Sequence, residues 1–384
     1  MDWQTSEDTV PSAPVTEADA RSLLGRPPAS GAWRDGDPVG DRRFATFRDF
    51  RTEGGRELSV FRIAYETWGE LNDAGDNAVL VLHALTGDSH VRGAAGPGHA
   101  TSGWWDDIVG PGGPIDTDRW FVVSSNMLGS SWGSTGPRDT DPRTGQPYGP
   151  AFPRLTVSDI VRAQKLLLEH LGVQHLVAVA GPSYGGYQAF QWAVQYPDFM
   201  HGIVAAISAP RSVPGSAATD KLIAELAADP NWHGGWYYQR GGIEPTLVKY
   251  RIATLKRYGI DEQLAAQFPD KAAREAEIRK RAETWSKVFD GNSLVTLRKA
   301  SVRYDAEKDL AKIKAKVLYV LSRTDKVFPP KVLAEPVMAK LKAAGVTADY
   351  YEIDSDFGHS ASGLDAAKWA PRLRTFMAGL EKRS

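Results

Sequence analysis

The chain contains no cysteine in 384 residues. That absence excludes disulfides, a thiolate nucleophile, cysteine-ligated zinc and iron–sulfur clusters on chemistry alone. No charge sign dominates either: Lys+Arg 46 against Asp+Glu 47 gives a net charge of −1. A general nucleic-acid binder needs a basic surface to displace counterions from phosphate, so that class is not expected. No apolar run approaches the roughly 18–20 residues that span a bilayer. The first thirty residues are acidic and rich in Ala, Pro and Ser, without the basic start and apolar run of a secretory signal. A protein of the cytoplasm, away from membranes, is the expectation. Two chemical signatures are also missing, G-x-x-x-x-G-K-[ST] for nucleotide phosphates and H-E-x-x-H for zinc. His83, His90 and His99 stand in loops without a supporting ligand pattern, so no metal and no bound cofactor is expected.

What is present is a large apolar fraction, 42%, with 12 tryptophans. That supplies one big core and an unusual load of indole. Residues 1–40, interrupted by Pro11, Pro14, Pro27 and Pro28, read as a flexible leader. Leu58–Tyr65 alternates as a half-buried strand does. Short β-branched apolar runs follow at Ala78–Leu82, Trp120–Val123, Leu176–Ala180, Ile203–Ile207 and Val317–Leu321, as in parallel strands buried on both faces. Between two of them Thr156-Val-Ser-Asp159 reads as a helix cap, with apolar residues at helical spacing up to Leu171 and a stop at Gly172. Strand, helix and strand in alternation predict an α/β fold, a mostly parallel sheet with helices on both faces. Residues 211–303 break that rhythm with helical segments, among them the charged run Asp270–Glu283. They predict a helical lid inserted between a first core segment, 41–210, and a second, 304–384.

The strand Leu176–Ala180 runs into Gly181-Pro-Ser-Tyr-Gly-Gly186 and then into a helical stretch. This is G-x-S-x-G in its strand–turn–helix setting, which lifts Ser183 to a helix N-terminus as a nucleophile. A serine hydroxyl needs a base to take its proton. In the α/β-hydrolase order the acid and then the histidine follow the serine. Three histidines come later: His201 close behind the nucleophile helix, His233 in the lid, and His359 in a Gly-His loop after a strand. Order and loop favour His359. The strand Val317–Leu321 leads to Asp325, the candidate to orient that histidine. Asp354 and Asp356 are rivals, though they stand close to His359 in sequence. Backbone N–H groups of Tyr184 and Leu85 are the candidates to receive an oxyanion.

His83-Ala-Leu-Thr-Gly-Asp-Ser-His90, Gly133-Ser-Thr-Gly-Pro137, Asp141–Gly149, the Asp159–Gln164 helix and the serine turn together resemble the homoserine O-acetyltransferase family. The resemblance runs from about residue 45 to the end and is strongest between 80 and 200. It implies an α/β-hydrolase fold, Ser183, Asp325 and His359 as the catalytic set, and a tunnel under a helical lid. It also implies acetyl-CoA as co-substrate, a homodimer, and Arg251 as the lid arginine for the acceptor's carboxylate. Two departures stand out. The family's serine turn usually reads Gly-Gly-Ser-Met-Gly-Gly, where this chain has Pro182 and Tyr184. The residue after the histidine is usually an Asp that holds the acceptor's amino group, and here it is Ser360. A hydroxyl does not replace a carboxylate beside a buried ammonium. Trp104, Trp105, Trp132, Trp232 and Trp236, with Tyr237 and Tyr238, fall where the family has its tunnel and lid. They predict an aromatic approach to Ser183, with Trp132 and Trp236 against substrate. The leading expectation is therefore a serine hydrolase of small to medium carboxylic esters. The alternative is O-acetyl transfer from acetyl-CoA to homoserine or another alcohol. A non-catalytic binding protein on the same fold is a third reading.

Overall fold

The computed structural model describes residues 30–213 and 215–380. Eight strands form one twisted sheet: β1 (Arg43–Arg51), β2 (Glu57–Trp68), β3 (Ala78–Leu82), β4 (Phe121–Ser125), β5 (Leu176–Pro182), β6 (Met200–Ala206), β7 (Lys316–Ser322) and β8 (Ala348–Ile353). Their order across the sheet is β1-β2-β4-β3-β5-β6-β7-β8. The β1–β2 and β2–β4 pairings are antiparallel; every other pairing is parallel.

The central strands are buried on both faces because their neighbours alternate between two cores. From β3, Leu80 and Leu82 enter one core while Val79 and Val81 enter the other. From β7, Tyr319 and Leu321 take the first side and Leu318 and Val320 the second. The first core is covered by α1 (Val157–His170) and α2 (Tyr184–Gln195) and, later in the chain, by the helix Pro330–Ala343. The second is covered by the segment around Trp105 and Ile108 and by the helix Ala366–Ala378, through Trp369, Leu373 and Met377. The α1 cap forms as its sequence predicts: the Thr156 hydroxyl accepts the Asp159 N–H at 3.0 Å, and Asp159 accepts the Thr156 N–H at 3.1 Å.

Between β6 and β7 lie α3 (Gly215–Ala227), α4 (Glu244–Arg257), α5 (Ile260–Leu264), α6 (Lys271–Ser286) and α7 (Gly291–Val302). Helices α4, α5 and α6 share a small core of their own, including Leu255, Leu264, Ile278 and Ala282. The charged run is α6, capped by Asp270, with most of its surface in solvent and Ile278, Ala282 and Trp285 turned inward. Among the described residues no helix is long and apolar enough to cross a membrane.

The expected leader over residues 1–40 needs a correction at its end. Residues 1–29 lie outside the described residues, but 30–40 are docked. The Ser30 hydroxyl donates to Asp290 at 2.7 Å, and the Trp33 N–H donates to the Ser131 carbonyl at 2.8 Å. A side chain at Gly31 would meet the Lys287 carbonyl at 2.4 Å, so only glycine lets the chain pass there. Trp33 then packs on Phe44 and under the Arg62 guanidinium.

Candidate active site

The turn between β5 and α2 stands on close backbone contacts. A Cβ at Gly181 would lie 2.4 Å from the Leu82 carbonyl oxygen, and one at Gly185 would lie 2.1 Å from it. Both positions must be glycine for β3 to run beside the turn. Ser183 itself has φ 55° and ψ −117°, a strained conformation for a residue with a side chain. Neighbours hold it there: its N–H donates to the Ala206 carbonyl at 2.8 Å, and its own carbonyl accepts the Ser208 hydroxyl at 2.6 Å. The consequence is a hydroxyl raised above the carboxyl end of the sheet.

Three side chains from three strand ends meet there. The Ser183 hydroxyl lies 2.9 Å from His359 Nε2, and His359 Nδ1 lies 2.9 Å from Asp325 Oδ2. The other Asp325 oxygen accepts the Val327 N–H at 2.7 Å. With a carboxylate facing Nδ1, the proton belongs on Nδ1, leaving Nε2 free to accept from serine. Phe328 stacks on the His359 ring and Tyr258 packs against the same ring at a tilt, with centroids 5.6 and 4.6 Å away. The rivals are accounted for elsewhere. Asp354 and Asp356 are exposed and pair with Arg323, each at 2.6 Å. His201 and His233 are exposed at other places in the fold.

The Leu85 and Tyr184 side chains are buried in the first core, while their neighbours Ala84, Pro182 and Ser183 line a cavity. Among the described residues the Leu85 N–H donates to no protein acceptor, and the Tyr184 N–H opens helix α2, where no preceding turn accepts it. Both amides therefore have the character that an oxyanion site needs. His83 fixes the first of these loops. Its Nε2 accepts the Met127 N–H at 3.1 Å and its Nδ1 donates to the Ala84 carbonyl at 2.7 Å. Complete burial pushes its pKa down to about 4, so it is a neutral strut. The Tyr184 hydroxyl donates to the Leu297 carbonyl at 3.0 Å and so ties the serine turn to α7 of the insertion.

The cavity over Ser183 holds about 730 Å³ and lies between the sheet end and helices α4 and α6. Arg251 lines it from α4. Its guanidinium stacks over Trp285 at 5.0 Å and donates to the Thr86 hydroxyl at 3.1 Å. No carboxylate pairs with it among the described residues, and its Nε has no partner. Burial pulls its pKa below the ordinary arginine value, with Tyr258 and Tyr250 opposing.

Of the residues that the sequence assigns to substrate, Arg251, Ser360 and Trp132 line this cavity. Trp236 does not: its ring packs against Gly149, where an added Cβ would sit 3.0 Å from it. Trp232, Tyr237 and Tyr238 are likewise placed away from the cavity. Trp232 stacks on Tyr237, and both tyrosine hydroxyls donate to the buried Asp290, which caps α7. Their aromatic character serves the packing of the insertion. Trp104 and Trp105 do line the cavity, joined by Trp285, Tyr258, Thr86 and Asp88, which the sequence reading leaves out. Tyr258 has a visible signal, lying seven residues after Arg251 on the same face of α4 and its C-terminal turn. Trp285 has none, because tertiary packing alone brings α6 over Arg251.

One cluster has the composition of a metal site. Donor atoms of Asp41, Glu66, His90 and His99 lie within 4.8 Å of one another. The two rings, however, stack at 3.7 Å and 12°, so one ion cannot lie in both ring planes. His90 bridges Glu66 at 3.0 Å and the Ala94 carbonyl at 3.2 Å, while His99 Nε2 accepts the Asp41 N–H at 2.9 Å. Burial opposes a proton on His90, but Glu66 outweighs it and raises the pKa. The arrangement is an internal ion network.

A glycine-bounded serine at a strand–helix turn, hydrogen-bonded to a histidine and through it to an aspartate, on a sheet of this order, is the construction of an α/β hydrolase. The family model of the alpha/beta hydrolase fold matches residues 77–366. The homoserine O-acetyltransferase of Leifsonia xyli subsp. xyli is 42% identical, over 98% of this chain and 100% of its own. That of Thermobifida fusca is 42% identical over 77% and 82% of the two chains. Among solved structures, esterase E22 superposes with a TM-score of 0.80 at 29% identity, covering 88% of this chain and 99% of its own. The homoserine O-acetyltransferase from Bacillus anthracis has a TM-score of 0.80 at 27% identity, covering 88% and 97%. The chain belongs to the homoserine O-acetyltransferase-like family of the α/β-hydrolase superfamily.

Proposed function

We propose that the protein transfers an acetyl group from acetyl-CoA to the hydroxyl of homoserine through an acetyl-serine intermediate. Ser183 Oγ attacks the thioester carbonyl while His359 takes its proton. The Leu85 and Tyr184 N–H groups receive the oxyanion, and Asp325 stabilises the imidazolium that forms. Collapse breaks the C–S bond, and His359 gives its proton to the departing CoA thiolate. The acceptor hydroxyl then attacks acetyl-Ser183, its proton passing to His359. The second collapse returns that proton to Ser183 and releases the acetylated acceptor.

The observation that carries this reading is Arg251, whose guanidinium lines the same cavity as Ser183 and, among the described residues, pairs with no carboxylate. A simple ester leaves that charge uncompensated, whereas an acceptor with a carboxylate satisfies it with a charge-assisted pair. This reverses the preference for ester hydrolysis that the sequence suggests, and the identity to curated acetyltransferases argues the same way. Hydrolysis keeps two specific supports: Ser360 follows the histidine in place of a carboxylate, and the likeness to esterase E22 is as close as that to the Bacillus anthracis enzyme. Incubation with acetyl-CoA and L-homoserine, with products resolved by mass spectrometry, separates the two. O-acetylhomoserine formed faster than acetate is the expected outcome; acetate alone contradicts it.

A further inference from the structure

An amino-acid acceptor brings an ammonium as well as a carboxylate into the cavity, and a buried ammonium needs an anion. Four carboxylates line the cavity: Asp88, Asp106, Asp107 and Glu277. Asp106 and Asp107 are exposed, and Asp106 faces Arg92 at 3.7 Å. Glu277 is held by Arg281 at 2.8 Å. Asp88 differs. One of its oxygens accepts the His90 N–H at 3.0 Å, and among the described residues the other takes no hydrogen bond. Its backbone is pinned, since the Trp104 indole donates to the Asp88 carbonyl at 2.9 Å. Two residues earlier in the same turn, Thr86 holds the Arg251 guanidinium. The 86–88 turn therefore sets a carboxylate two residues from the hydroxyl that holds Arg251.

On the transferase reading above, we infer that Asp88 receives the acceptor's ammonium group and so selects α-amino alcohol acids over plain hydroxy acids. Ser360, on the wall of the same cavity, offers a hydroxyl as second acceptor for that ammonium. Arg251 and Asp88 together then form a clamp for a zwitterion, with the anion moved from the position after the histidine to the turn after β3.

The test compares L-homoserine with 4-hydroxybutyrate, which keeps the alcohol and carboxylate and lacks the amine. The ratio of their kcat/KM values is read in the wild type and in Asp88→Asn. Removing the charge lowers the ratio by about 10- to 100-fold, the range of a charge-assisted hydrogen bond. Labelling of Ser183 by a fluorophosphonate reports that the variant is folded. An unchanged ratio in a variant that labels overturns the inference alone, whereas absence of transfer by the wild type to either acceptor overturns the transferase reading and this inference with it. A second readout needs no variant. Burial, with the charge of Glu66, pushes the Asp88 carboxyl up to about 6; the His90 N–H, the His90 charge and Arg42 pull it down. The wild-type ratio therefore falls as pH is lowered through 6, because loss of the Asp88 charge weakens only the acceptor that carries an ammonium. A ratio that stays flat with pH contradicts the proposal.

Discussion

Ser183, Asp325 and His359 stand at the ends of β5, β7 and β8, whereas Arg251, Tyr258 and Trp285 come from the insertion between β6 and β7. The first group is fixed by the sheet register and by backbone contacts as close as that of Gly185 to Leu82. The second is carried on helices whose small core is largely their own. The residues proposed for acylation thus stand on the sheet, and Arg251, proposed for the acceptor's carboxylate, stands on the insertion, while Thr86 and Asp88 reach the cavity from the sheet side. Thr86 and the Tyr184 hydroxyl link the halves, one to Arg251 and the other to the Leu297 carbonyl.

That division is open to attack from both sides. Ser183→Ala removes the nucleophile and lowers kcat for transfer by about 10⁴-fold or more, with the circular dichroism spectrum unchanged. Turnover near the wild-type rate places the chemistry elsewhere. On the insertion side, Arg251→Met raises KM for homoserine by roughly 10- to 100-fold, as loss of a buried charge-assisted pair does, with a smaller change in kcat. A fall in kcat at constant KM assigns Arg251 to the chemical step and breaks the comparison. Gly185→Ala tests the rigid half for stability: its methyl meets the Leu82 carbonyl, so the variant loses about 1–3 kcal/mol in denaturant titration and activity falls with it. A wild-type midpoint means the turn can yield.

The smallest effect concerns Asp88. Its folded pKa of about 6 lies above the ordinary carboxylate value, so between roughly pH 4 and 6 the folded state holds a proton that the unfolded state has lost. Stability from this group is thus full below pH 4 and lost as pH rises through 6. Asp88→Asn carries no such penalty and raises Tm slightly at pH 7.5, with the gain vanishing near pH 4 in matched thermal melts. Equal melting curves at both pH values contradict the assigned burial of that carboxylate.

The same two halves differ in how far the sequence reveals them. Parallel strands such as Ala78–Leu82 and Val317–Leu321 are buried on both faces, so composition alone marks them. The serine turn and the α1 capping box are local patterns, and they form where their residues stand. Asp325 and His359 follow from chain order, because strand ends set the geometry. The cavity wall has no such rule. Trp236 and Trp285 both lie within the 211–303 insertion, yet one packs on Gly149 and the other under Arg251. Only the packing of the insertion's helices decides between them. Edge strand β1 (Arg43–Arg51) is equally hard to read, since half of its side chains face solvent. Residues 30–40 dock through contacts with Ser131, Phe289 and Asp290, partners too distant in sequence to leave a local mark.

Discharge of the acyl-enzyme tests the central claim most directly. The protein is mixed with acetyl-CoA alone, quenched and mapped by peptide mass spectrometry, then chased with L-homoserine. The account predicts acetyl on Ser183 that leaves as O-acetylhomoserine faster than it is lost to water. An unmodified Ser183, or an acetyl group released only as acetate in the presence of homoserine, contradicts it.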